Sequence, residues 1–285
     1  MASFEYEYIE DFVKNPRFRF KPESDPTFST TSKKRNADDD EEISVFALDC
    51  EMVRTRKRQE LARVSLVNED EEVVVDMFVK PRSKVIDYQT KYSGITAQLL
   101  DGCNNDLGTA TKTIRQFVKA KDVLVGHDIL NDLKALRLNH SNCIDTSKIF
   151  PHTNLNVGDT PSLKSLASKY LKRQIQSASS GHDSVEDART CIQLLNWRLE
   201  FERRISKGIY KNVEEAKEAV LLAAKIEPGL NLTNAAQFRR LLETLKVKLS
   251  WETNIYNWAS ERLVGHGSAD FFNKERIFYQ KIKST

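Results

Sequence analysis

The chain has 285 residues, 30% of them charged and 40% hydrophobic, with a formal net charge of +3 at pH 7. That length holds one sizeable domain with an extension, or two small domains. The charge is too small to mark a polyanionic partner by itself, and no apolar run comes near the roughly 18 residues of a membrane span.

The N-terminus, MASFEYEYIEDFVKNPRF, carries acids where a secretory signal carries bases. Cys50, Cys103, Cys143 and Cys191 form no CxxC pair and have no zinc-ligand spacing. A chain kept inside the cell, in a reducing compartment, is expected. Residues 1–42 read as a flexible charged tail, because the stretch 22–42 has too few apolar residues to order itself. Its triplet Lys33, Lys34, Arg35 fits either a nuclear-import signal or a solvated linker. Placement in the nucleus or nucleolus is expected, with the cytoplasm as the alternative.

From residue 43 the pattern is that of an α/β domain. Residues 43–48 (ISVFAL), 61–67 and 73–79 are strand-like runs, and NEDEE at 68–72 predicts a hairpin between the last two. Helices are expected over 109–120, 129–138, from Pro161 to residue 170, and from Ser184 to about residue 205. Short buried strands are expected at 123–126 and 143–145. Three antiparallel strands followed by alternating helices and strands imply a mixed sheet with helices packed on it. Residues 206–285 are basic in balance and read as two or three amphipathic helices, broken at Pro228–Gly229 and near residues 265–267, with no catalytic motif. The expected division is therefore a tail over 1–42, a domain over 43–205 and a basic helical extension over 206–285.

Asp49 and Glu51 follow the first apolar run. Alternate residues of a strand share a face, so the two carboxylates point the same way and Cys50 points the other. A pair of acids there is either solvated at a strand end or bridged by a hard divalent cation, the ligand chemistry that suits oxygen donors. Asp132 is placed on one helical face with Asp128 and Leu136. Gly126-His127-Asp128 reads as a sharp strand-to-helix junction, with His127 in a packing role. In GHDSVEDA (181–188), Ser184 is expected to cap a helix that carries Asp187. His182 is either an inert loop residue or a base beside a metal site.

Seven segments occur in a fixed order: ALDCEMV (47–53), LARVSLVN (61–68), SGIT (93–96), VGHDILNDLKAL (125–136), IDT (144–146), SLKSLASKYL (162–171) and GHDSVEDA (181–188). Together they closely resemble the DEDDh family of 3′→5′ RNA exonucleases, which includes the interferon-induced antiviral exonuclease and the yeast ribosomal-RNA-processing exonucleases. The resemblance covers roughly residues 43–200 and implies a ribonuclease-H-like fold. It places the family's acids on Asp49, Glu51, Asp132 and Asp187, and its histidine on His182. It also implies release of nucleoside 5′-monophosphates from the 3′ ends of single-stranded RNA.

Two Mg²⁺ or Mn²⁺ ions are then expected. Asp49, Glu51 and Asp187 would hold the first, Asp49 would bridge to the second, and Asp132 would complete the site. His182 would deprotonate the attacking water. Met52 either packs on the terminal nucleotide or fills the core. Arg54 stands where the family commonly has Gly. Arg54 and Arg56, with Lys57 and Arg58, either contact backbone phosphates or form a solvated basic loop. A DNA exonuclease of the same fold and a catalytically inactive nucleic-acid-binding module are the alternatives. Residues 206–285 offer a surface for RNA or a protein partner, and no membrane partner is expected.

Overall fold

A computed structural model describes residues 26–31, 43–150, 160–177, 181–226 and 235–247, with residues 9, 13–14, 255 and 258–259. The basic triplet 33–35, the acidic run 38–42 and the expected helix breaks at 228–229 and 265–267 lie outside the described residues. Two compact units divide the chain: residues 1–148 with 162–197, and residues 149–161 with 198–285. No helix among the described residues is long and apolar enough to cross a membrane.

The first unit is built on a mixed sheet. Its strands are β1 (Ser29–Thr30), β2 (Val45–Thr55), β3 (Gln59–Asn68), β4 (Val73–Phe78) and β5 (Val85–Asp87). Helices α1 (Thr90–Ser93), α2 (Ala97–Leu100) and α3 (Leu107–Phe117) follow, then β6 (Val123–Gly126), α4 (Leu130–Leu136), β7 (Leu138–Asn139) and β8 (Cys143–Asp145). After α5 (Thr146–Ile149), α6 (Leu163–Leu166) runs into a π-helical turn, Ala167–Leu171, and α7 covers Ser184–Ser206.

The main sheet has the order β4-β3-β2-β6-β8, with β5 added beside β2. β4, β3 and β2 are antiparallel, whereas β2, β6 and β8 are parallel. This is the expected ribonuclease-H-like arrangement of a meander continued by crossover strands. The β3–β4 turn closes on Asn68, whose Oδ1 accepts from the Asp70 and Glu72 amides at 3.1 and 2.8 Å. Glu71 takes the left-handed conformation, φ 65°, that so tight a turn demands.

A large hydrophobic cluster covers one face of the sheet. Leu48 and Cys50 of β2, Val64 and Leu66 of β3 and Val75 of β4 pack with Ala110 and Ile114 of α3 and Leu133 and Leu136 of α4. The aliphatic positions of α3 and α4 recur at helical spacing, and this sets which helix face is buried.

Three sequence expectations are corrected. β2 does not end near Asp49 but continues to Thr55, because residues 48–54 stay in register with β3, with a bulge between Glu51 and Met52. The chain then turns at Thr55–Arg58, where Thr55 Oγ1 accepts from the Lys57 and Arg58 amides at 3.2 Å each. Arg54 therefore sits in a strand. Asp128 is not on the face of α4: it precedes the helix with φ 54°. Ser184 does not cap α7. Asp183 accepts the Val185 amide at 3.2 Å, and the Ser184 hydroxyl meets Ser65 Oγ at 2.6 Å instead.

In the second unit, α8 (Val213–Ile226) starts at Asn212, whose Oδ1 accepts the Glu215 amide at 3.0 Å. α9 (Ala235–Thr244) follows. Arg204 grips Glu215 through two hydrogen bonds of 2.9 and 3.1 Å. Buried Ala216, Ala219 and Val220 of α8 and Phe238, Leu241 and Leu242 of α9 supply apolar surface.

Candidate active site

β2 runs past the end of β6. The two pair only from Val45 to Ala47 and β5 pairs with β2 only at Arg54 and Thr55, so the backbone amides between these stretches can take other partners. One is satisfied by α4: the Cys50 N–H donates to the Asp132 carboxylate. This contact seats Asp132 beside the strand that bears Asp49 and Glu51.

The junction that launches α4 is tightly built. A Cβ on Gly126 would lie 2.9 Å from two side-chain carbons of Ile129 and 3.1 Å from the Leu48 carbonyl. The Asp128 amide donates to Asp145 Oδ1 at 2.9 Å, and Ser147 Oγ donates to Asp128 Oδ1 and Asp145 Oδ1 at 3.0 and 2.7 Å. His127 Nδ1 meets Thr146 Oγ1 at 2.9 Å. His127 thus holds the junction together, in keeping with the packing role expected of it.

The fourth acid comes from α7 on the opposite face. Asp49 pairs in register with Ser65 of β3, and the Ser65–Ser184 contact lays the first turn of α7 over that face. Arg63 steadies this end, bonding Asp76 at 2.8 and 2.9 Å and reaching Asp183 at 3.0 Å. Asp187 follows one turn into the helix. Its Oδ2 accepts from Gln176 Nε2 at 2.8 Å and lies 3.8 Å from His182 Nδ1. That second distance allows charge attraction but is too long for a hydrogen bond.

Four carboxylates thus converge from β2, α4 and α7. Glu51 is 6% exposed and Asp132 and Asp187 are each 4% exposed, while Asp49 is half-buried. Burial is the main cause of their raised pKa values, because it disfavours charge. Asp49 is held well above the usual range by burial and by Asp132, Asp187 and Glu51. Asp132 is raised by burial, with Glu51, Asp145 and Asp128 adding repulsion against the opposing Cys50 hydrogen bond. Glu51 is pushed up to about 8 by burial and Asp187, and Asp187 to about 6 by burial, despite Gln176.

The donors suit a divalent cation. They are hard oxygens, they repel one another, and Asp187 Oδ1 is buried with no hydrogen-bond partner. Among the described residues no group of three or more His, Cys, Asp or Glu side chains is spaced to hold a metal ion as it stands, so the fit rests on the donor chemistry and on the partnerless oxygen. The residues present therefore fit a metal-dependent site.

Sequence reasoning placed Met52, Arg54 and Arg56 near the substrate. Met52 is half-buried and borders a groove beside the site, while Arg54 and Arg56 are exposed at the far end of β2 and in the turn after it. It missed Gln176, whose segment RQIQS carries no motif, and the clasp of Asp183 by Arg63. It also gave no reason for the SGIT segment. His182 donates its amide to the Tyr92 carbonyl at 2.7 Å. Gly181, at φ 100°, passes so close to Gly94 that a Cβ would lie 2.3 Å from the Gly94 nitrogen and 2.5 Å from the Thr90 carbonyl. All the blocking atoms are backbone. Gly181→Ala is therefore expected to destabilise the protein by about 1–3 kcal/mol and to displace His182. Thermal melting and turnover of the variant check this; wild-type values for both would show that the loop is not held by this contact.

Comparisons with known proteins bear on the same residues. Residues 46–195 match the exonuclease family. Over 156 residues the chain is 44% identical to an uncharacterised exonuclease of Schizosaccharomyces pombe, covering 54% of this chain and 25% of that protein. Over 173 residues it is 40% identical to RNA exonuclease 1 of Saccharomyces cerevisiae, covering 60% and 30%. Among solved structures, the protease and nuclease unit of Neurospora crassa Pan2 is similar with a TM-score of 0.53 at 27% identity, covering 70% of this chain and 33% of that one. The chain thus spans about a quarter to a third of the length of these relatives. The matched residues begin inside β2, just before Asp49, and end inside α7, just after Asp187, so the strand and helices that bring the four acids together are the shared part: the chain belongs to the exonuclease family.

Proposed function

We propose that the chain is a metal-dependent 3′→5′ exoribonuclease that releases nucleoside 5′-monophosphates from the 3′ ends of single-stranded RNA. One observation carries the reading. Four carboxylates from three elements stand together and repel one another, one buried oxygen is without a hydrogen-bond partner, and an imidazole stands at their rim. Asp49, Glu51 and Asp187 would hold one Mg²⁺ or Mn²⁺ ion, and Asp49 with Asp132 a second. When bound, such ions lower the pKa of water and offset charge on the leaving 3′-oxygen.

The remaining steps fall to the chain's own groups. His182 Nδ1 is the ring nitrogen nearer Asp187, which leaves Nε2 to take the proton of the attacking water. Burial, with the Lys164 charge nearby, lowers the His182 pKa, so the ring is neutral and able to accept at pH 7. Gln176 fixes the rotation of the Asp187 carboxylate. Glu51 and the Met52 backbone would read a 2′-hydroxyl, the group that separates RNA from DNA.

RNA exonuclease 1 of yeast, by its name, supports RNA as the substrate. The test uses 5′-labelled RNA and DNA oligomers of one sequence, each with a free or blocked 3′ end, with Mg²⁺. A ladder shortening from the free RNA 3′ end, with nucleoside 5′-monophosphates as products, is expected. Equal digestion of DNA would favour a DNA exonuclease on the same fold. Internal cuts or indifference to the 3′ block would overturn the exonucleolytic reading.

A further inference from the structure

A wide groove of about 1340 Å³ opens on the first unit beside the acidic site. It exceeds the roughly 300–1,000 Å³ of ordinary small-molecule pockets, so its size suits a polymer. Met52 and Asn131 line it; they are the chain neighbours of Glu51 and Asp132, so the groove comes within one residue of two of the carboxylate positions. Its other walls are the β2–β3 turn, the connection from β4 to β5, and the exposed faces of α3 and α4.

The lining carries eight Lys and Arg residues against a single acid, Glu60. Arg58 comes from the turn, Lys80 and Arg82 from the β4–β5 connection, Lys112 and Arg115 from α3, and Arg137 from the end of α4. Elements distant in sequence thus deliver cations to one concave surface. Glu60 offsets only one of these charges, and its Oε2 is held by the Arg82 and Ser83 amides at 2.9 and 3.3 Å. Among the described residues, Lys80, Lys112 and Arg115 have no carboxylate within ion-pair distance, and Arg115 Nε is buried without a hydrogen-bond partner. Asp106 is the acid that stands near Arg82. So many cations with so few counter-charges form a surface that gains by binding a polyanion.

We propose that this groove holds the phosphodiester backbone of the RNA strand on the 5′ side of the scissile bond, over several nucleotides, while the 3′ end enters the carboxylate cluster. The proposal rests on the nuclease reading above. An acidic protein segment would suit the charge, but the nearness of Met52 and Asn131 to Glu51 and Asp132 in the chain favours the strand being cleaved. The contacts are to phosphates, so binding in the groove is indifferent to sequence.

The test compares the full chain with the variant Lys80→Gln/Arg82→Gln/Lys112→Gln, all three being exposed positions. Binding of a fluorescent 12-nucleotide RNA is measured in EDTA across salt concentrations. Hydrolysis of a dinucleotide, too short to run along the groove, reports the acidic site alone. Each lost phosphate contact should lower the slope of log K against log[salt] by about 0.7, so three lower it by about 2. At 0.1 M salt that is an affinity loss on the order of 100-fold. Dinucleotide turnover should stay at the wild-type level.

Lys112→Glu alone, at an exposed helix position, should weaken 12-mer binding by at least about 5-fold and serves if the triple variant melts early. Variants that fold and bind the 12-mer with wild-type affinity and salt slope would overturn the groove. A wild-type chain that binds the 12-mer through these residues but hydrolyses neither RNA would overturn the nuclease reading instead, so the two failures are distinguishable.

Discussion

Asp49→Ala is expected to abolish turnover, with a loss of at least about 10⁴-fold, while leaving the metal-free protein as stable as the wild type or more so. Loss of activity follows from the position of Asp49, at the centre of a cluster where Asp132, Asp187 and Glu51 all repel it. No other side chain occupies that place on β2. The stability claim follows from linkage. Glu51 is pushed up to about 8 in the folded protein from a reference value of 4.5. Between those values the folded state binds more protons than the unfolded state, so stability falls as pH rises through the window. Asp49 is itself raised by burial and by Asp132, Asp187 and Glu51, so its removal takes one strained carboxyl out of the cluster. A gain of about 1–2 kcal/mol corresponds to roughly 2–8 °C in melting temperature for a domain of this size. Thermal melting in EDTA at pH 8 and single-turnover assays in Mg²⁺ check both halves. A variant that melts well below the wild type would mean that Asp49 is a structural residue, and one that retains turnover would remove it from the site.

The second large effect concerns His182. A general base contributes about 10²–10⁴-fold to rate, so His182→Ala should lose turnover in that range while still binding RNA. The wild-type rate should rise with pH as the imidazole loses its proton. Because burial and Lys164 lower its pKa, the midpoint of that limb should fall below the reference value of about 6.5. The limb should be missing from the variant. Single-turnover rates of both proteins across pH 5–8 are the measurement. A His182→Ala rate within a few-fold of wild type, with the limb still present, would leave proton removal to solvent.

The sequence made the helices, the buried strands and the β3–β4 hairpin legible, because each is written in local periodicity and turn chemistry. It also placed Asp49 and Glu51 on one face, since strand alternation is a local rule. The length of β2 was not legible. After Leu48 the apolar run is broken by Asp49, Glu51 and Arg54, and the register with β3 keeps these residues in the strand. The place of Asp128 was hidden for a related reason. Helical spacing put it in line with Asp132, but Asp145 and Ser147, which arrive from β8 and the residues after it, hold it in a left-handed turn before the helix. Gln176 had no local signal at all. It reaches Asp187 because the π-helical turn Ala167–Leu171 ends at Lys172 with φ 56° and Gln176 itself takes φ 53°.

The basic groove shows the same limit from another side. Lys57 and Arg58 are conspicuous beside the DCE motif, but Lys80, Arg82, Lys112 and Arg115 lie in segments that read as ordinary solvated loop and helix. Only the packing of α3 and α4 against the sheet brings them to one surface. The formal charge of +3 over the whole chain conceals this segregation of acids in one site and bases beside it.

The central claim is that Asp49, Glu51, Asp132 and Asp187 form a divalent-cation site. Thermal melting of wild-type protein and of Asp49→Ala at pH 8, with and without Mg²⁺ or Mn²⁺, tests it most directly. A cation that binds only the folded state stabilises it by mass action, and at pH 8 protons compete for Glu51 and Asp187 less than at pH 7. The account predicts that metal raises the wild-type melting temperature clearly and that of Asp49→Ala little or not at all. An unchanged wild-type melting temperature, or an equal rise in both proteins, would contradict it.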